Sequence, residues 1–263
     1  MKTVGFIGVG KMASAIIAGL DKTKFNLLIS GRDFEKTKQQ AADLSVTAVQ
    51  NHDELVKKSD LIVLAIKPQV LPSVLRPLSS ALSADKTLIS IAAGLTLADL
   101  EALAASENQG IIRVMPNINA QIGKSTSAIV RNEFVSDEAF DATSEIFGAV
   151  GSVHQIAEKD FSTFAAIAGS SPAYIYMFID ALSRAGVLHG LPKDQATKIV
   201  AETLQASAEM ILQSGENPWS LVDKVSSPGG TTVAGVVSLE KNHFVGTVID
   251  AITATIDKEN QLR

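Results

Sequence analysis

The sequence predicts an α/β half built on a doubly wound parallel sheet, followed by an all-α half. Three observations predict this. Short apolar runs alternate with helix-patterned segments as far as Gln155; every segment beyond reads as helix; and 46% hydrophobic against 19% charged residues in a chain of 263 supplies apolar material for substantial cores. The apolar runs are continuous rather than alternating, as expected of parallel strands buried on both faces. The two parts are 1–155 and 156–263.

Taken in order, the strand TVGFIG leads into KMASAIIAGL, where Met12, Ile16, Ile17 and Leu20 recur at helical spacing. The strand FNLLIS precedes the helix DFEKTKQQAADL, and LIVLAI precedes VLPSVLRPLSSAL, which reads as one helix. TLISIAA, the helix LADLEALAA and the strand IIRVM complete the alternation. Thr96 and Asp99 have capping-box spacing and are assigned to structure. After SVHQI the strands stop, and SPAYIYMFIDALSRAGV, KDQATKIVAETLQASAEMILQ, PWSLVDKV, TTVAGVVSLEKN and FVGTVIDAITATIDKEN all read as helices, several opening with Ser or Pro. From Tyr174 to Leu182 the first of these is apolar nearly all round, so it needs cover on several sides. A second copy of the chain supplies that cover, which predicts a homodimer or higher homo-oligomer built through residues after about Asp160.

Composition narrows the function. A formal net charge of -5 with no basic cluster argues against nucleic acid. The absence of Cys removes disulfides and thiolate sites and fits a cytoplasmic protein. The His residues at 52, 154, 189 and 243 show no metal-ligand spacing, so no metal is expected. Glycines and Lys11 interrupt the apolar N-terminus before it becomes a secretory signal, and no later run has membrane-spanning length.

The junction Ile7-Gly8-Val9-Gly10-Lys11-Met12-Ala13 carries the first chemistry. Gly8 permits a tight turn, Gly10 lets a pyrophosphate approach the backbone, and Ala13 allows close helix packing, in the strand-before, helix-after setting that a dinucleotide site requires. The second strand ends in Ser30-Gly31-Arg32 instead of the acid that binds an NAD ribose. A hydroxyl and a guanidinium suit a 2′-phosphate, so NADPH is expected, with NADH less preferred; Asp33 follows, and the alternative for that corner is a solvated strand-end turn. The strand ends Ala65-Ile66-Lys67-Pro68-Gln69, Ala92-Ala93-Gly94 and Met115-Pro116-Asn117 are either cofactor contacts or loop punctuation.

Late in the chain, SSPGGTT precedes a helix. Gly229 and Gly230 with the unpaired amides of a helix start form a carboxylate pocket, to which Ser227, Thr231 and Thr232 add hydroxyls. The alternative is an ordinary turn linking two helices.

GFIGVGKMASAI, AIKPQ, SIAAGLT, RVMPN, GSSPAYIYMFIDA and LVDKVSSPGGTTVAGV resemble, in order and across nearly the whole chain, the motifs of the pyrroline-5-carboxylate reductase family. The resemblance implies an NADPH-binding Rossmann domain, a helical dimerisation domain, and reduction of the C=N bond of 1-pyrroline-5-carboxylate to give L-proline. It implies that the loop Ile7 to Met12 wraps the cofactor, that Ser30, Gly31 and Arg32 face its adenosine phosphate, and that Ala65, Ile66, Lys67, Pro68 and Ala93 line it. The substrate carboxylate would meet Ser227 and the backbone of Gly230 and Thr231, with the Thr232 hydroxyl at the ring nitrogen. Glu158 matches a position near substrate, and Lys224 one near cofactor where Asn is common. An Asn before the helix at Asp53 is matched by Asn51 or by His52; Asn51 is taken as the cofactor residue. Ile118-Asn119-Ala120 and Gly123-Lys124-Ser125 depart from the family pattern.

A protonated cyclic imine needs no general acid, which accounts for the lack of a His–Asp pair and leaves Thr232 as the orienting group, with solvent supplying the proton. A β-hydroxyacid dehydrogenase would need a Lys that GSSPAYIYMFIDAL lacks, the C-terminal motif argues against a deazaflavin-dependent reductase, and a dinucleotide sensor without catalysis is the rival from outside the enzymes. Whether a site is completed by the loop of its own chain or of the partner is open.

Overall fold

The computed structural model describes residues 1–261, and these divide into two compact units, Met1–Gly169 with the last helical turn from Lys258, and Ser170–Asp257. The strands do end at Gln155, but the first unit runs on to Gly169 rather than stopping at 155/156. The reason is packing: Phe161 and Phe164 bury against Ala128 of the sheet and hold the segment after the last strand in the first unit.

In that unit the order is β1 (Lys2–Ile7), α1 (Lys11–Gly19), β2 (Phe25–Ser30), α2 (Phe34–Leu44), β3 (Thr47–Ala48), α3 (His52–Lys58), β4 (Leu61–Leu64), α4 (Leu71–Leu75), β5 (Thr87–Ser90), α5 (Leu97–Ala104), β6 (Gly110–Met115), β7 (Ser125–Arg131), α6 (Asp137–Gly148), β8 (Gly151–Gln155) and α7 (Phe161–Phe164). The strands form one sheet in the order β3-β2-β1-β4-β5-β6-β7-β8. Side chains alternate between two cores: Val4, Phe6, Leu61, Val63 and Ile89 on one face, Ile7, Ile62, Leu64 and Leu88 on the other. That two-sided burial is why these strands read as unbroken apolar runs.

Two expectations are corrected. The sheet is parallel from β3 through β6, but β7 pairs antiparallel to β6. The link between them, Pro116 to Lys124, is only a 3₁₀ stretch at Ile118–Ile122 capped by Asn117 and ended by Gly123 at φ 68. A parallel return needs a crossover of about a dozen residues or more. The segment VLPSVLRPLSSAL is not one helix: α4 gives way at Arg76–Ala81 to 3₁₀ geometry. Pro77 has no N–H to donate and its ring crowds the carbonyl four residues earlier. The capping box at Thr96 and Asp99 forms as read, with Thr96 Oγ1 accepting from Asp99 N at 3.1 Å. A π-helical stretch, Ala165–Ser170, ends the first unit.

The second unit holds α8 (Ser171–Leu188), α9 (Lys193–Ser214), α10 (Pro218–Val225), α11 (Thr231–Lys241) and α12 (Phe244–Gln261), whose last turn belongs to the first unit. Tyr174 and Thr255 share a hydroxyl bond of 2.5 Å that ties α8 to α12, and Phe178 meets Phe244 with ring centroids 6.0 Å apart. Among the described residues of this unit only Pro172, Ser183 and Ala196 are buried, while Met177, Leu188 and Leu212 are 71%, 80% and 80% exposed. A helical unit with so little buried apolar area cannot offset its ordering entropy alone, so its apolar faces need a partner. Light scattering at micromolar concentration is therefore expected to give at least twice the chain mass of 27.7 kDa; a monodisperse species at 27.7 kDa would contradict this.

Candidate active site

In the first unit, four neighbouring strands bring their carboxyl ends to one edge. Ile7 pairs with Ser30 on one side and with Leu64 on the other, and Leu64 pairs with Ser90. The links that leave these ends carry nearly all the residues assigned to the cofactor, and an open parallel sheet binds ligands at this edge. Backbone bonds knit the links together: Gly8 N donates to Ser30 O at 2.9 Å, and Ala65 N donates to Ile7 O at 2.9 Å.

Ile7 is buried at the end of β1 and anchors the turn. Gly8 has φ +91, and a Cβ there would lie 2.6 Å from Ile66 Cγ2 and 2.7 Å from Ala65 O, so the turn admits no side chain. Val9 accepts through its carbonyl from Gln40 Nε2 at 2.9 Å, which ties the loop to α2. Gly10 is the N-cap of α1, no side chain caps it, and a Cβ built there meets nothing within 4 Å. The first-turn amides, from Lys11 and Met12 onward, thus have no intrahelical acceptor and the approach to Gly10 is open, which suits a pyrophosphate cradle.

Ser30 is fully buried, and its Oγ lies 2.7 Å from His52 Nδ1. Gly31 leads to Arg32, which is exposed and has no hydrogen-bond or ion-pair partner among the described residues. Asp33, the one acid at this corner, caps α2 by accepting from Lys36 N at 3.1 Å. Asn51 is likewise a cap, accepting from Glu54 N at 2.9 Å, so its side chain serves α3, and the neighbour that reaches the strand ends is His52. Burial holds His52 below the ordinary imidazole range. Ala65, Ile66, Lys67 and Pro68 follow β4, with Lys67 exposed, and Ala93 is exposed in the link between β5 and α5.

Two further assigned residues, besides Asn51, have partners of their own. Glu158 Oε1 accepts from Leu97 N, the first amide of α5, at 2.6 Å and from Arg113 Nη1 at 3.2 Å. The Arg113 side chain is only 3% exposed and its guanidinium stacks 4.2 Å from the Phe161 ring. Glu158 thus serves as a counter-charge and helix cap. Glu158→Ala removes both bonds, and thermal unfolding should show a loss of about 2 kcal/mol; Glu158→Gln, which keeps an acceptor, should lose less. Lys224 donates to both carboxylate oxygens of Glu216, at 2.7 and 2.6 Å, and belongs to the second unit, whereas the other residues assigned to the cofactor belong to the first. Asn117 is also structural: it donates to Ala168 O at 3.0 Å and accepts from Asn119 N at 3.2 Å, which explains how the departures at Ile118 to Ala120 fold.

In the second unit the loop between α10 and α11 carries the remaining residues. Gly229 takes φ +71, and Gly230 N donates to Ser227 O at 3.0 Å, closing a tight turn. A Cβ on Gly230 would lie 2.5 Å from Ser227 Oγ and 3.0 Å from Ser227 O. Gly230 is the N-cap of α11 with no side-chain cap, so the first-turn amides of Thr231, Thr232 and Val233 have no intrahelical acceptor. The hydroxyls of Thr231 and Thr232 are exposed and without partners among the described residues, and Ser226 Oγ is buried without one. Donors of this kind, with the positive end of a helix dipole behind them, suit a small carboxylate.

Sequence reading missed the Ser30–His52 contact and the Arg113–Glu158 pair. Both join residues far apart in the chain, and no local pattern announces them. Among the described residues no group of three His, Asp or Glu side chains stands at metal-holding distance, and no helix is long and apolar enough to cross a membrane.

Residues 158–262 match the family model for pyrroline-5-carboxylate reductase dimerisation, and residues 3–94 match that for NADP oxidoreductase, coenzyme F420-dependent. The pyrroline-5-carboxylate reductase of Pisum sativum is 36% identical over 263 residues, covering 99% of this chain and 96% of that one. Among solved structures, a 1-pyrroline-5-carboxylate reductase from Streptococcus pyogenes is 44% identical with a TM-score of 0.90, covering 99% of this chain and 98% of the other. One from Plasmodium falciparum, determined with NADP bound, is 34% identical with a TM-score of 0.87 at the same coverage. With full-length identity of this order and the same two-part fold, the chain belongs to the pyrroline-5-carboxylate reductase family.

Proposed function

We propose that this chain reduces 1-pyrroline-5-carboxylate to L-proline, the last step of proline biosynthesis, with NADPH as the preferred reductant and NADH as the poorer one, working in the cytoplasm as a homodimer or higher homo-oligomer. The observation that carries the reading is the uncapped start of α11 beside the Gly229-Gly230 turn, where three main-chain amides and two free hydroxyls are presented together. Preference for NADPH is supported by the corner after β2, where Asp33 is occupied as a cap and Arg32 is unpaired.

The residues at the sheet edge fit a dinucleotide, because the turn at Gly8 excludes a side chain while the approach to Gly10 is open. Main-chain amides of Gly10 to Met12 would hold its pyrophosphate, and Ser30 to Arg32 its adenosine phosphate. When bound, NADPH supplies a hydride to C5 of the ring. The amides of Thr231 and Thr232 grip the carboxylate, with Ser227 beside them, and fix the ring. Thr232 Oγ1 accepts a hydrogen bond from the protonated ring nitrogen, which aligns the C=N bond for attack. Nitrogen keeps its proton and its electron pair from the former double bond, so the product is the secondary amine of proline. No side-chain acid is required, because the imine takes its proton from solvent before reduction. Positioning of this kind contributes several kcal/mol of barrier lowering.

The test is loss of NADPH absorbance on adding 1-pyrroline-5-carboxylate to the purified chain. Stoichiometric appearance of proline, with a lower kcat/KM for NADH, is expected. Binding of NADPH without turnover would instead identify a dinucleotide sensor.

A further inference from the structure

With a pyrophosphate at the start of α1 and the adenosine phosphate after β2, the strand order β3-β2-β1-β4-β5-β6 leaves the nicotinamide half of a dinucleotide to the ends of β4, β5 and β6. The link between β5 and α5, residues 91–96, crosses that side. Its middle is sparsely furnished: Ala92 is buried, Ala93 is exposed, and Gly94 takes φ +80 with nothing within 4 Å of a Cβ built there. Side chains so small cannot fix the path of the link, so its two ends must. Both ends are referred to one residue. Ser90, the last of β5, pairs in register with Arg113 of β6. At the other end Leu97 N donates to Glu158 Oε1 at 2.6 Å, and the same oxygen accepts from Arg113 Nη1 at 3.2 Å. Arg113 has little freedom of its own. Its side chain is 3% exposed, and its guanidinium lies 4.2 Å from the ring centroid of Phe161, which is fully buried beside Ala128 and Phe164. Ser90, Arg113, Glu158 and Leu97 thus form a brace that spans the link from end to end.

Stability alone does not ask for such a pair. Apolar residues of the same volume often match or exceed a buried ion pair, and the capping box at Thr96 and Asp99 already closes the start of α5. What the pair adds is a set distance between the two ends of the link. We propose that Arg113 and Glu158 are positioning residues for hydride transfer: acting through the link, they hold Ala93 against the nicotinamide ring and so set the approach of that ring to the imine carbon. The proposal rests on the reading of the sheet edge as the dinucleotide site and of the chain as a reductase.

Steady-state kinetics on the full chain, normalised to intact sites, tests it. Calorimetric titration with adenosine 2′,5′-bisphosphate, which carries the adenosine half and no nicotinamide, counts those sites. Glu158→Ala is expected to keep the affinity for this fragment within about twofold and KM for 1-pyrroline-5-carboxylate within about threefold, while kcat per titrated site falls about 100-fold, the cost of a misplacement of about 1 Å. NADPH deuterated at the transferred position should slow the variant further, because hydride transfer is then the slow step. Glu158→Gln, which keeps an acceptor for Leu97 N, should recover part of the rate. A merely structural role would lower the number of titrated sites and leave the rate at each unchanged; that result, or a fall in kcat without an isotope effect, overturns the proposal. Unchanged kcat in Glu158→Ala overturns it too, with the reductase reading intact. If the unmodified chain binds the fragment but does not reduce 1-pyrroline-5-carboxylate, the reductase reading fails and the proposal with it.

Discussion

Gly8→Ala is expected to remove measurable NADPH binding, raising Kd by about 100-fold or more, and to lower the melting temperature by several degrees. The residue sits at φ +91, a region that costs an L side chain about 1–2 kcal/mol. The added methyl would also lie 2.6 Å from Ile66 Cγ2 and 2.7 Å from Ala65 O, and the second of these is backbone that cannot rotate away. Relief requires the turn to separate from β4, which pulls the Gly10 to Met12 amides out of register with a pyrophosphate. About 3 kcal/mol of combined strain and lost contact corresponds to the stated factor. Calorimetric titration with NADP⁺ reads it directly, and an affinity within threefold of the unmodified chain would show that the cradle lies elsewhere.

Thr232→Ala is the second large effect. Its hydroxyl is exposed, unpartnered among the described residues, and placed in the first turn of α11 beside the amides assigned to the carboxylate. Removing one preorganised hydrogen-bonding group from a reacting centre typically costs about 10²–10³ in rate. A fall in kcat/KM of about 100-fold is expected, with NADPH affinity changed less than twofold. Thr232→Ser, which keeps the hydroxyl, should retain most of the activity. Wild-type turnover by the alanine variant would remove Thr232 from the mechanism.

Much of this was legible in the sequence wherever neighbours in the chain are neighbours in space. The Gly8-Val9-Gly10 turn was visible because a strand, two glycines and a helix follow one another within a dozen positions, and the Gly229-Gly230 turn was visible because two helices flank it as closely. The antiparallel return of β7 was not, since strand direction is set by the length of the link and by tertiary closure rather than by the strand's own residues. Pro77 was in plain view, but the apolar pattern around it argued for a continuous helix and masked its effect. Glu158 was placed by motif position, and its bonds to Leu97 and Arg113 come from elements 61 and 45 residues away. His52 and Asn51 could not be told apart in the sequence. Only the turn into α3, which spends Asn51 as a cap and turns His52 toward Ser30, separates them.

The most direct measurement is a crystal structure of the chain with L-proline and NADP⁺ both bound. Proline should sit with its carboxylate within hydrogen-bond distance of the Thr231 and Thr232 amides, its nitrogen near Thr232 Oγ1, and its C5 facing the nicotinamide ring. Proline bound away from the start of α11, or a dinucleotide whose pyrophosphate avoids Gly8 to Met12, would contradict the account.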